Sequence, residues 1–469
     1  MKKRDRHSRD GARVSRREFV TRSIGVSAAL AATAPLATRR TSAAPLPAAR
    51  ASRVLGANDS VGVGFIGIGI RGEILVRSTQ ALTKAPAPRI LDVCDLYDGH
   101  FDRAKELLGA TIKTGRDYRQ VLDNPDIDAV VVAVPDHWHK SIVLDALDAG
   151  KDVYVEKPMT HQWEDTAEFI DAAAKNQRML QVGSQYQSMP ANERAIEIIK
   201  SGQLGKITLI SGRIHRNTAT GAWYYPIPPD ASPQTVDWDR FVGDGPKRKF
   251  DPRRFFQWRL FWEYSGGLPT DLFVHLITAT HTLMGVDMPT RVVAVGGTHN
   301  WKEREVPDQM SAIVEYPENF TLTLTSTANN NHPFPPLIIM GTEGTLEYYG
   351  TRLVLCPEPQ LENYTYSTNS WPAATKRKYA ELHDLDPDSM RPKATAGMKT
   401  PEPEPIDTPG HESTEAHLAK FFDSVRTRKP PVEDATMGGH CAIVGHMVNL
   451  SFKARKDARW DAERNAVRV

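Results

Sequence analysis

An aspartate and a histidine four positions apart, Asp271 and His275, are the residues best spaced for chemistry in this chain. They follow Gly266-Gly267, which ends one segment, and the pattern predicts a helix that runs to about Met284. On such a helix the two side chains share one face, and the carboxylate can fix the tautomer of an imidazole that acts as a general base. Taken alone, the helix favours a simpler interpretation, a buried capping aspartate and a core histidine.

Metal chemistry is not indicated by the sequence. The chain contains no His-Glu-x-x-His pattern and no Cys/His ligand set, and His137, His139 and His281 lack the partner spacing of a metal site. We therefore predict a site without a metal.

A glycine-rich turn, Gly-Ile-Gly-Ile-Arg-Gly, begins at Gly67 after a short apolar run. In a dinucleotide-binding turn the first glycine permits the tight bend, the second (Gly69) lets the backbone approach the pyrophosphate, and the third (Gly72) lets helix and strand pack closely. Ile70 and Arg71 lie between the last two glycines and are predicted to contact the same cofactor. The alternative is an ordinary glycine-rich turn.

A carboxylate, Asp95, stands 23 positions beyond Gly72, at the end of the next predicted strand. Such a residue hydrogen-bonds the adenosine ribose hydroxyls and would repel a 2′-phosphate. The two residues after it, Leu96 and Tyr97, supply no cation. The sequence therefore predicts NAD as the cofactor and disfavours NADP.

Strand and helix patterns alternate around these motifs. Short apolar runs predict buried strands with helices between them, an order typical of a parallel, doubly wound α/β sheet. The predicted strands cover 61–67, 89–94, 129–134, 152–155 and 179–182, and the predicted helices run from the glycine turn to about 82, over 142–149 and over 163–175.

Glu156, Lys157 and Pro158 directly follow the strand that ends at Val155. Because the carboxyl ends of parallel strands face the ligand crevice, the first two side chains are expected to point toward the nicotinamide end of a bound cofactor. By itself, the tripeptide is also an ordinary charged turn.

An aromatic segment leads into the glycine pair: twelve of the 42 residues from 223 to 264 are aromatic, against 8% for the whole chain. Aromatic rings with interleaved arginines suit the apolar faces and hydroxyl rims of a sugar. The candidates for substrate contact are Trp258, Arg259 and Tyr264, together with His215 on the strand that opens the second domain. Packing in a core or a subunit interface accounts for most of the remaining aromatic residues.

The first 53 residues have the features of an export signal. Arg16 and Arg17 form a twin-arginine pattern, and the Ala-rich apolar stretch over 24–37 is too short for a membrane span, which needs about 20 residues. A basic arm for nucleic acid is the alternative, but such an arm does not require an apolar stretch. We therefore predict recognition by the twin-arginine translocation machinery and a periplasmic or extracellular location.

Charge and cysteine content narrow the class of protein further. Residues 1–53 hold thirteen Lys and Arg against three Asp and Glu, a net charge of +10, and the whole chain carries +2, so the rest carries −8. A protein this acidic is a poor partner for nucleic acid or anionic lipid. Cys94, Cys356 and Cys441 form no disulfide framework, which is consistent with folding in a reducing cytoplasm before export.

The chain resembles the glucose–fructose oxidoreductase / inositol dehydrogenase family, Gfo/Idh/MocA, in three motifs and in their order. These motifs are the glycine turn, then Glu-Lys-Pro, then Gly-Gly-x-x-x-Asp-x-x-x-His. The resemblance extends to the motif from Pro135 to His139, to residues 202–207 and to Arg459-Trp460-Asp461, and it covers nearly all of the chain after the leader. Some members carry twin-arginine leaders, and the segment 238–267 resembles that exported branch.

The resemblance implies an α/β protein with two domains, a Rossmann NAD-binding domain over 58–187 and a substrate-binding domain over 188–469. The second domain would contain a large, open, mostly antiparallel sheet that covers the nicotinamide and often mediates assembly, so a homodimer or homotetramer is expected. Residues 358–410 are polar and rich in Pro and Thr, and are predicted to form an insertion, a lid or a stretch that wraps a neighbouring subunit.

The same resemblance implies the site residues. Lys157 would bind and polarise the reacting hydroxyl, His275 would accept its proton, and Asp271 would orient the substrate or His275. Many relatives carry glycine two residues before the histidine, where this chain has Phe273, so the pocket wall is expected to differ. The cofactor contacts implied outside the glycine turn are Pro135, His139, Glu156 and Lys157.

These inferences predict an exported NAD-dependent oxidoreductase that acts on a secondary hydroxyl of a sugar, glycoside or polyol. Because no NAD pool is available outside the cytoplasm, the cofactor is expected to stay bound and to be recycled internally. The alternative is an NAD-dependent glycoside hydrolase or lyase that works by transient oxidation and elimination, as do the glycosidases of this family. The presence of Lys157, Asp271 and His275 disfavours a third class, a non-catalytic NAD- or sugar-binding protein.

Overall fold

The computed structural model describes residues 59–358, 364–395, 402–410 and 413–469. The predicted twin-arginine leader lies outside these residues, and so do parts of the segment 358–410. In the described ranges, no helix combines the length and the apolar character needed to cross a membrane. The described chain builds two β-sheets, and the candidate site lies where they meet.

The first sheet consists of β1 (Gly62–Ile66), β2 (Arg89–Cys94), β3 (Lys113–Gly115), β4 (Ala129–Val132), β5 (Asp152–Val155) and β6 (Leu180–Val182). All its neighbours are parallel, in the order β3-β2-β1-β4-β5-β6. The central strands β1 and β4 are buried along their whole length, as their continuous apolar runs predict. This arrangement confirms the predicted parallel, doubly wound α/β sheet.

The helices that connect these strands cover both faces of the sheet. One face carries a core that includes Leu147 and Phe169, and the other a core that includes Phe65 and Leu75. Because each connection crosses back over the sheet, all strands end at the same edge, which is the edge of the candidate site. The helices are α1 (Ile70–Ala81), α2 (Asp98–Leu108), α3 (Tyr118–Asp123), α4 (His139–Asp148) and α5 (Thr166–Asn176).

The second sheet consists of β7 (Ile207–Arg213), β8 (Arg291–Gly297), β9 (Gln309–Glu315), β10 (Thr321–Thr327), β11 (Leu337–Gly341), β12 (Gly344–Tyr348), β13 (Arg352–Pro357), β14 (Glu404–Asp407), β15 (Ala458–Asp461) and β16 (Ala466–Arg468). Its order is β14-β13-β12-β11-β7-β10-β9-β8-β15-β16. Only β7 and β10 pair in parallel among the described strands of this sheet, which confirms the predicted large, mostly antiparallel sheet.

The later helices are α6 (Ala191–Lys200), α7 (Trp238–Val242), α8 (Pro252–Phe256), α9 (Val274–Met284), α10 (Ala373–Leu382), α11 (Ser413–Thr427) and α12 (Ala435–Ala454). Helix α9 is buried along nearly all of its length because it packs against α12 and, through Leu276, against the second sheet. Polar side chains on α9 are therefore buried as well.

The closing helices α11 and α12 return to the first sheet, although they belong to the predicted range 188–469. Leu418 and Phe421 of α11 enter the core on one face, and Ala442 of α12 enters the core on the other. Arg428, just after α11, donates from both Nη atoms to the buried carboxylate of Asp152 in β5, at 2.5 and 3.0 Å. Helix α12 also packs against β8 and β15 of the second sheet, so this helix joins the two sheets.

The segment 358–410, in its described parts, divides into two pieces. Residues 364–395 contain α10 and a small separate core of Ala380, Leu385 and Met390. Residues 404–407 form β14 and extend the second sheet at its edge. A role as a lid or as a contact with a neighbouring subunit stays a prediction.

We predict that Gly438→Ala destabilises the protein, because a Cβ at this position of α12 would lie 2.2 Å from Val182 Cγ2 in β6. Overpacking of this kind costs roughly 1–3 kcal/mol, and chemical denaturation measures it. The matched control is Thr436→Ala, an exposed position on the same helix, which we expect to leave the free energy of unfolding within about 0.5 kcal/mol of the original. An unchanged stability for Gly438→Ala would contradict the close packing of α12 on β6.

Candidate active site

Two glycines of the turn between β1 and α1 are closely packed, and the third, Gly69, is open to the cavity. Gly67 has φ +88°, and a Cβ there would lie 2.4 Å from the carbonyl oxygen of Ala133. A Cβ on Gly72 would lie 2.2 Å from the carbonyl oxygen of Gly67, so only glycine lets α1 begin this close to the strand. A Cβ on Gly69 would meet nothing nearer than His100 Cε1 at 3.6 Å, and the backbone there is open to the cavity.

Asp95, directly after β2, is held by the same turn. Its carboxylate accepts hydrogen bonds from the backbone N–H of Ile68 at 2.8 Å and of Leu96 at 2.7 Å, and His100 Nδ1 lies 2.9 Å away. Burial opposes ionisation, but His100 and the backbone donors outweigh it and lower the pKa of Asp95 below its ordinary value. The carboxylate at this end of the cavity is therefore charged.

A cavity of about 780 Å³ lies between the two sheets. This volume is within the range of cofactor and ligand sites. Gly72, His139 and Tyr264 are the predicted site residues that do not line it. The predicted residues that do line it are Gly67, Gly69, Ile70, Arg71, Asp95, Pro135, Glu156, Lys157, His215, Trp258, Arg259, Asp271 and His275.

His139 and Tyr264 occupy structural positions beside the cavity. The His139 ring lies between two carbonyl oxygens, that of Pro158 at 2.9 Å from Nδ1 and that of Val134 at 3.1 Å from Nε2. It therefore joins the ends of β4 and β5. The Tyr264 ring packs with its centroid 5.0 Å from that of Phe241 and is buried in the core of the second sheet.

An ion pair connects the glycine turn to the Glu-Lys-Pro turn. Arg71 Nε donates to Glu156 Oε1 at 2.7 Å, and the Arg71 Nη2 atom lies 3.4 Å from Gln185 Oε1. The Glu156 side chain is buried, and its charge is balanced by Arg71. The residue that precedes Lys157 is therefore anchored to the start of α1.

Lys157 and Asp271 meet across the two sheets. Lys157 Nζ donates to Asp271 Oδ1 at 2.7 Å and to the Asp271 carbonyl oxygen at 2.9 Å, and Arg259 Nε approaches the same Oδ1 at 3.3 Å. Burial opposes the charge of Asp271, but Lys157 and Arg259 outweigh it and hold the pKa of this carboxyl well below its ordinary value. One carboxylate thus serves as the counterion of two cations.

The helix that carries Asp271 begins differently from the sequence prediction. A π-helical turn covers Pro269–Phe273, and α9 starts at Val274. A π turn is wider than an α turn, so the regular relation between side chains four apart does not hold here. Asp271 bonds Lys157 and Arg259, whereas His275 Nδ1 has no hydrogen-bond partner among the described residues. The Asp271 carboxylate therefore does not fix the imidazole tautomer through Nδ1.

His275 lines the cavity with its ring against Tyr186, at 5.1 Å between ring centroids. The residue is buried, and its Nδ1 atom is shielded from solvent. Burial, and next the positive charge of Lys157, lower the pKa of His275 well below its ordinary value. The imidazole is therefore neutral and able to accept a proton from a bound ligand.

Asp136 is a buried acidic residue of this cavity that the sequence analysis does not assign to the site. It follows β4, and its Oδ2 accepts a weak hydrogen bond of 3.4 Å from the backbone N–H of Gly266. Burial and the negative charge of Asp271 raise the pKa of Asp136 to about 7, against the opposing effect of Arg259 and Lys157. The sequence offered one signal for Asp136, its position after the carboxyl end of a parallel strand. The same rule, that such strand ends face the ligand, identifies Lys157.

Tyr186, Arg216 and Tyr225 also line the cavity without having been predicted. Tyr186 follows β6, so the strand-end rule applies to it as well. Arg216 and Tyr225 come from the irregular segment after β7, where no periodic pattern fixes the direction of a side chain.

The residues present fit a dinucleotide. The glycine turn leaves open backbone at the N-terminus of α1, and a charged carboxylate lies at the same end of the cavity. In the part of the chain that the structure describes, His, Cys, Asp and Glu side chains form no cluster of three or more that could hold a metal ion.

Two family models match the chain in sequence. Residues 61–184 match "Oxidoreductase family, NAD-binding Rossmann fold", and residues 235–347 match "GFO/IDH/MocA C-terminal domain". The first match covers the glycine turn, Asp95 and Lys157, and the second covers Asp271 and His275. The first sheet is thus an NAD-binding Rossmann domain.

The chain is also similar in sequence to individual dehydrogenases and glycosyl hydrolases. The inositol 2-dehydrogenase/D-chiro-inositol 3-dehydrogenase of Lactiplantibacillus plantarum is 31% identical over 158 residues, 33% of this chain and 44% of that protein. A glycosyl hydrolase family 109 protein of Saccharopolyspora erythraea is 25% identical over 407 residues, 79% of each chain. The chain thus spans about half the length of the inositol dehydrogenases that it matches.

Among solved structures, levoglucosan dehydrogenase in complex with NADH and levoglucosan superposes with a TM-score of 0.62 at 18% identity. The superposition covers 86% of this chain and 99% of that one. At this identity the likeness establishes the fold alone.

We predict that Asp136→Asn changes the pH dependence of stability. A carboxyl whose pKa is raised to about 7 in the folded protein keeps its proton where the unfolded chain has released it. The group therefore makes the free energy of unfolding fall as pH rises from about 4 to about 7, by at most about 1.4 kcal/mol per pH unit. Asparagine removes this fall, so the stability of the variant relative to the original protein should increase as pH rises from 4 to 8. Thermal or chemical unfolding measures this difference.

The matched control is Asp126→Asn, an exposed aspartate, which should keep the original pH profile. Parallel profiles for Asp136→Asn and the original protein would show that Asp136 is ionised across this range.

Proposed function

Because this chain belongs to the Gfo/Idh/MocA oxidoreductase family, we propose that it is an NAD-dependent oxidoreductase acting on a secondary hydroxyl of a sugar, glycoside or polyol. The observation that carries the proposal is the Lys157–Asp271 contact, which lies with His275 in the cavity that the glycine turn opens. A charged donor and a neutral base in one buried cavity are the two groups that oxidation of an alcohol requires of the protein.

Bound NAD supplies this site with a hydride acceptor, and the protein supplies binding, orientation and proton transfer. Gly67 provides the tight bend and Gly69 the open backbone at the N-terminus of α1, and Asp95 provides the charged carboxylate for the ribose hydroxyls. The Arg71–Glu156 ion pair holds the Lys157 turn against the same helix.

Lys157 positions the reacting hydroxyl. An ammonium has three N–H donors, and the described contacts use two of them on Asp271. The third donor remains for the oxygen of a substrate in the cavity. Because Asp271 is ionised, it keeps the ammonium in place while that oxygen loses its proton.

His275 accepts the proton of the hydroxyl. Its imidazole is neutral because of burial and of Lys157, and the residue lines the cavity in which a substrate would bind. A neutral imidazole has one nitrogen free to take a proton, and Tyr186 restricts the ring from one side.

Trp258, Arg259 and His215 line the cavity from the second domain, whereas the glycine turn lines it from the first. The Arg259 guanidinium lies 4.2 Å from the centroid of the Trp258 ring, so the ring and the cation present one combined surface. Such a surface suits a sugar, which has both apolar faces and hydroxyl groups.

The twin-arginine pattern supports a second part of the proposal, export of the folded and cofactor-loaded protein to the periplasm or the outside of the cell. A tightly held cofactor that is recycled internally is consistent with that location. A homo-oligomer and the translocation machinery as a partner are proposed on the same basis, together with the family resemblance.

A redox-neutral glycoside hydrolase or lyase is the second candidate. The similarity to a glycosyl hydrolase family 109 protein over 79% of both chains favours it, and so does Asp136. A carboxyl whose pKa is raised to about 7 can hold a proton at neutral pH and deliver it to a leaving group. Release of nitrophenol from nitrophenyl glycosides without accumulation of reduced cofactor would identify this activity.

We predict that the purified protein contains NAD and that Lys157→Ala and His275→Ala each lower turnover by about 10²–10⁴-fold while NAD stays bound. Neither side chain belongs to the glycine turn or to Asp95, so the adenosine half of the cofactor keeps its contacts. Bound NAD, melting temperature and the rate on a panel of sugars and glycosides are measured on the same preparations.

The matched control is His281→Gln, a buried histidine on the same helix that bonds Tyr316 and does not line the cavity. This variant should lose stability and keep its activity per folded molecule. If His275→Ala behaves like His281→Gln, the proton acceptor is another group.

Changing Arg16 and Arg17 to Lys should leave folded, NAD-containing protein in the cytoplasm. The translocation receptor distinguishes the guanidinium pair from two ammonium groups, although the charge is equal. Cell fractionation and immunoblotting measure the outcome, and the same change at Arg39 and Arg40 serves as the control. Unimpaired export of the Arg16/Arg17 variant would exclude the twin-arginine route.

A further inference from the structure

Arg216 is a cavity cation without a protein counterion. It lies three residues beyond β7 and lines the cavity that also contains Lys157, Asp271 and His275. Its backbone N–H donates to the Thr327 carbonyl oxygen at 3.0 Å, which fixes the segment beside β10. Across the described ranges, no Asp or Glu oxygen lies within ion-pair distance of the Arg216 guanidinium.

The other cations at this end of the cavity are paired. Arg71 pairs with Glu156 at 2.7 Å, Lys157 with Asp271 at 2.7 Å, and Arg259 with the same Asp271 oxygen at 3.3 Å. Four cations therefore stand against the two carboxylates Glu156 and Asp271. Asp136, the third acidic residue there, holds a proton over part of the neutral range. The reaction end of the cavity thus has an excess of positive charge.

The guanidinium charge reaches the groups that the proposed reaction uses. Burial and Lys157 have the largest effects on the pKa of His275, and Arg216 adds to the lowering. Arg216 also contributes, after Lys157 and Arg259, to the lowered pKa of Asp271. Its charge therefore acts at the end of the cavity that holds His275 and Asp271.

We propose that the substrate is an acidic sugar, a hexuronic acid or its glycoside, whose carboxylate binds Arg216. This inference rests on the proposed function and specifies its substrate class. Arg216 is an exposed residue that lines the cavity, and its guanidinium can match a carboxylate with two parallel N–H···O bonds. A carboxylate carries one negative charge and would balance Arg216, the one of these four cations that has no carboxylate partner among the described residues.

The pyrophosphate of the cofactor does not account for Arg216. A dinucleotide places its phosphates at the N-terminus of α1, in the first sheet, where Gly69 leaves the backbone open. Arg216 extends from the second sheet, on the side that carries His215 and Trp258, the residues predicted to contact substrate.

The test is a binding measurement on the NAD-loaded protein. Glucuronate, galacturonate and mannuronate are each titrated by calorimetry against the matching neutral hexose, with the hexose 6-sulfate and 6-phosphate as further arms. At least one uronate should bind on the order of 10- to 100-fold more tightly than its neutral hexose, the range expected for hydrogen bonds to a charged group.

Arg216→Gln should abolish this preference while leaving the NAD content and the affinity for the neutral hexose unchanged. Arg216→Lys keeps the charge without the two-pronged geometry and should restore part of the preference. The matched control is Arg352→Gln, which removes the same charge from an exposed residue of β13 whose guanidinium lies over the Tyr349 ring. This variant should retain the full preference.

Equal affinity of uronates and neutral hexoses, or a preference that survives Arg216→Gln, would overturn the inference. Tighter binding of the sulfate or the phosphate than of every uronate would overturn the carboxylate assignment, and loss of NAD from Arg216→Gln would place the arginine at the cofactor instead. Reduction of the bound cofactor is followed separately by absorbance. Uronates that bind through Arg216 without reducing the cofactor or losing an aglycone would contradict the proposed function, while Arg216 would still be the carboxylate-binding residue.

Discussion

The contact between Lys157 and Asp271 is the constraint on which the site depends. It joins the turn after β5 of the first sheet to the π-helical start of the helix that the second sheet buries, through a 2.7 Å ion pair and a second bond to the Asp271 carbonyl. Both groups are mostly buried. Removing Asp271 would leave the Lys157 ammonium without its carboxylate, at a cost of about 3–5 kcal/mol, whereas removing Lys157 would leave Asp271 with Arg259 as its counterion. Helix α12 packs on both sheets and on the π-helical turn, and so keeps these two elements at this separation.

Burial and the charges of this contact set the protonation states around it. Burial and the ammonium of Lys157 lower the pKa of His275, so its imidazole is neutral, and burial and the carboxylate of Asp271 raise the pKa of Asp136. The cavity therefore contains a cationic hydrogen-bond donor in Lys157, an unprotonated base in His275 and, in Asp136, a carboxyl whose pKa is raised to about 7. This set suits oxidation of an alcohol, and the extra carboxyl suits loss of a leaving group.

Local pattern predicted the first sheet well because its strands are buried on both faces. Continuous apolar runs then mark each strand, and β2 and β5 begin and end at the predicted residues. The short edge strand β3 was missed, since Lys113–Gly115 has no apolar run. Lys157 was found from the rule that strand ends face the ligand, and Asp136 and Tyr186 satisfy the same rule but carry no motif that singles them out.

The sequence by itself determined the glycine turn, the parallel sheet, the mostly antiparallel second sheet and the identity of the residues Lys157, Asp271 and His275, because these are properties of local spacing and of family motifs. Tertiary structure decided which of those residues bond to one another. Spacing on a regular helix paired Asp271 with His275, whereas the folded chain pairs Asp271 with Lys157, 114 residues away, and leaves Arg216 without a counterion. The reason is physical: a buried charge is stabilised by whichever opposite charge the packing of distant elements brings within hydrogen-bond distance, and sequence separation does not encode that distance.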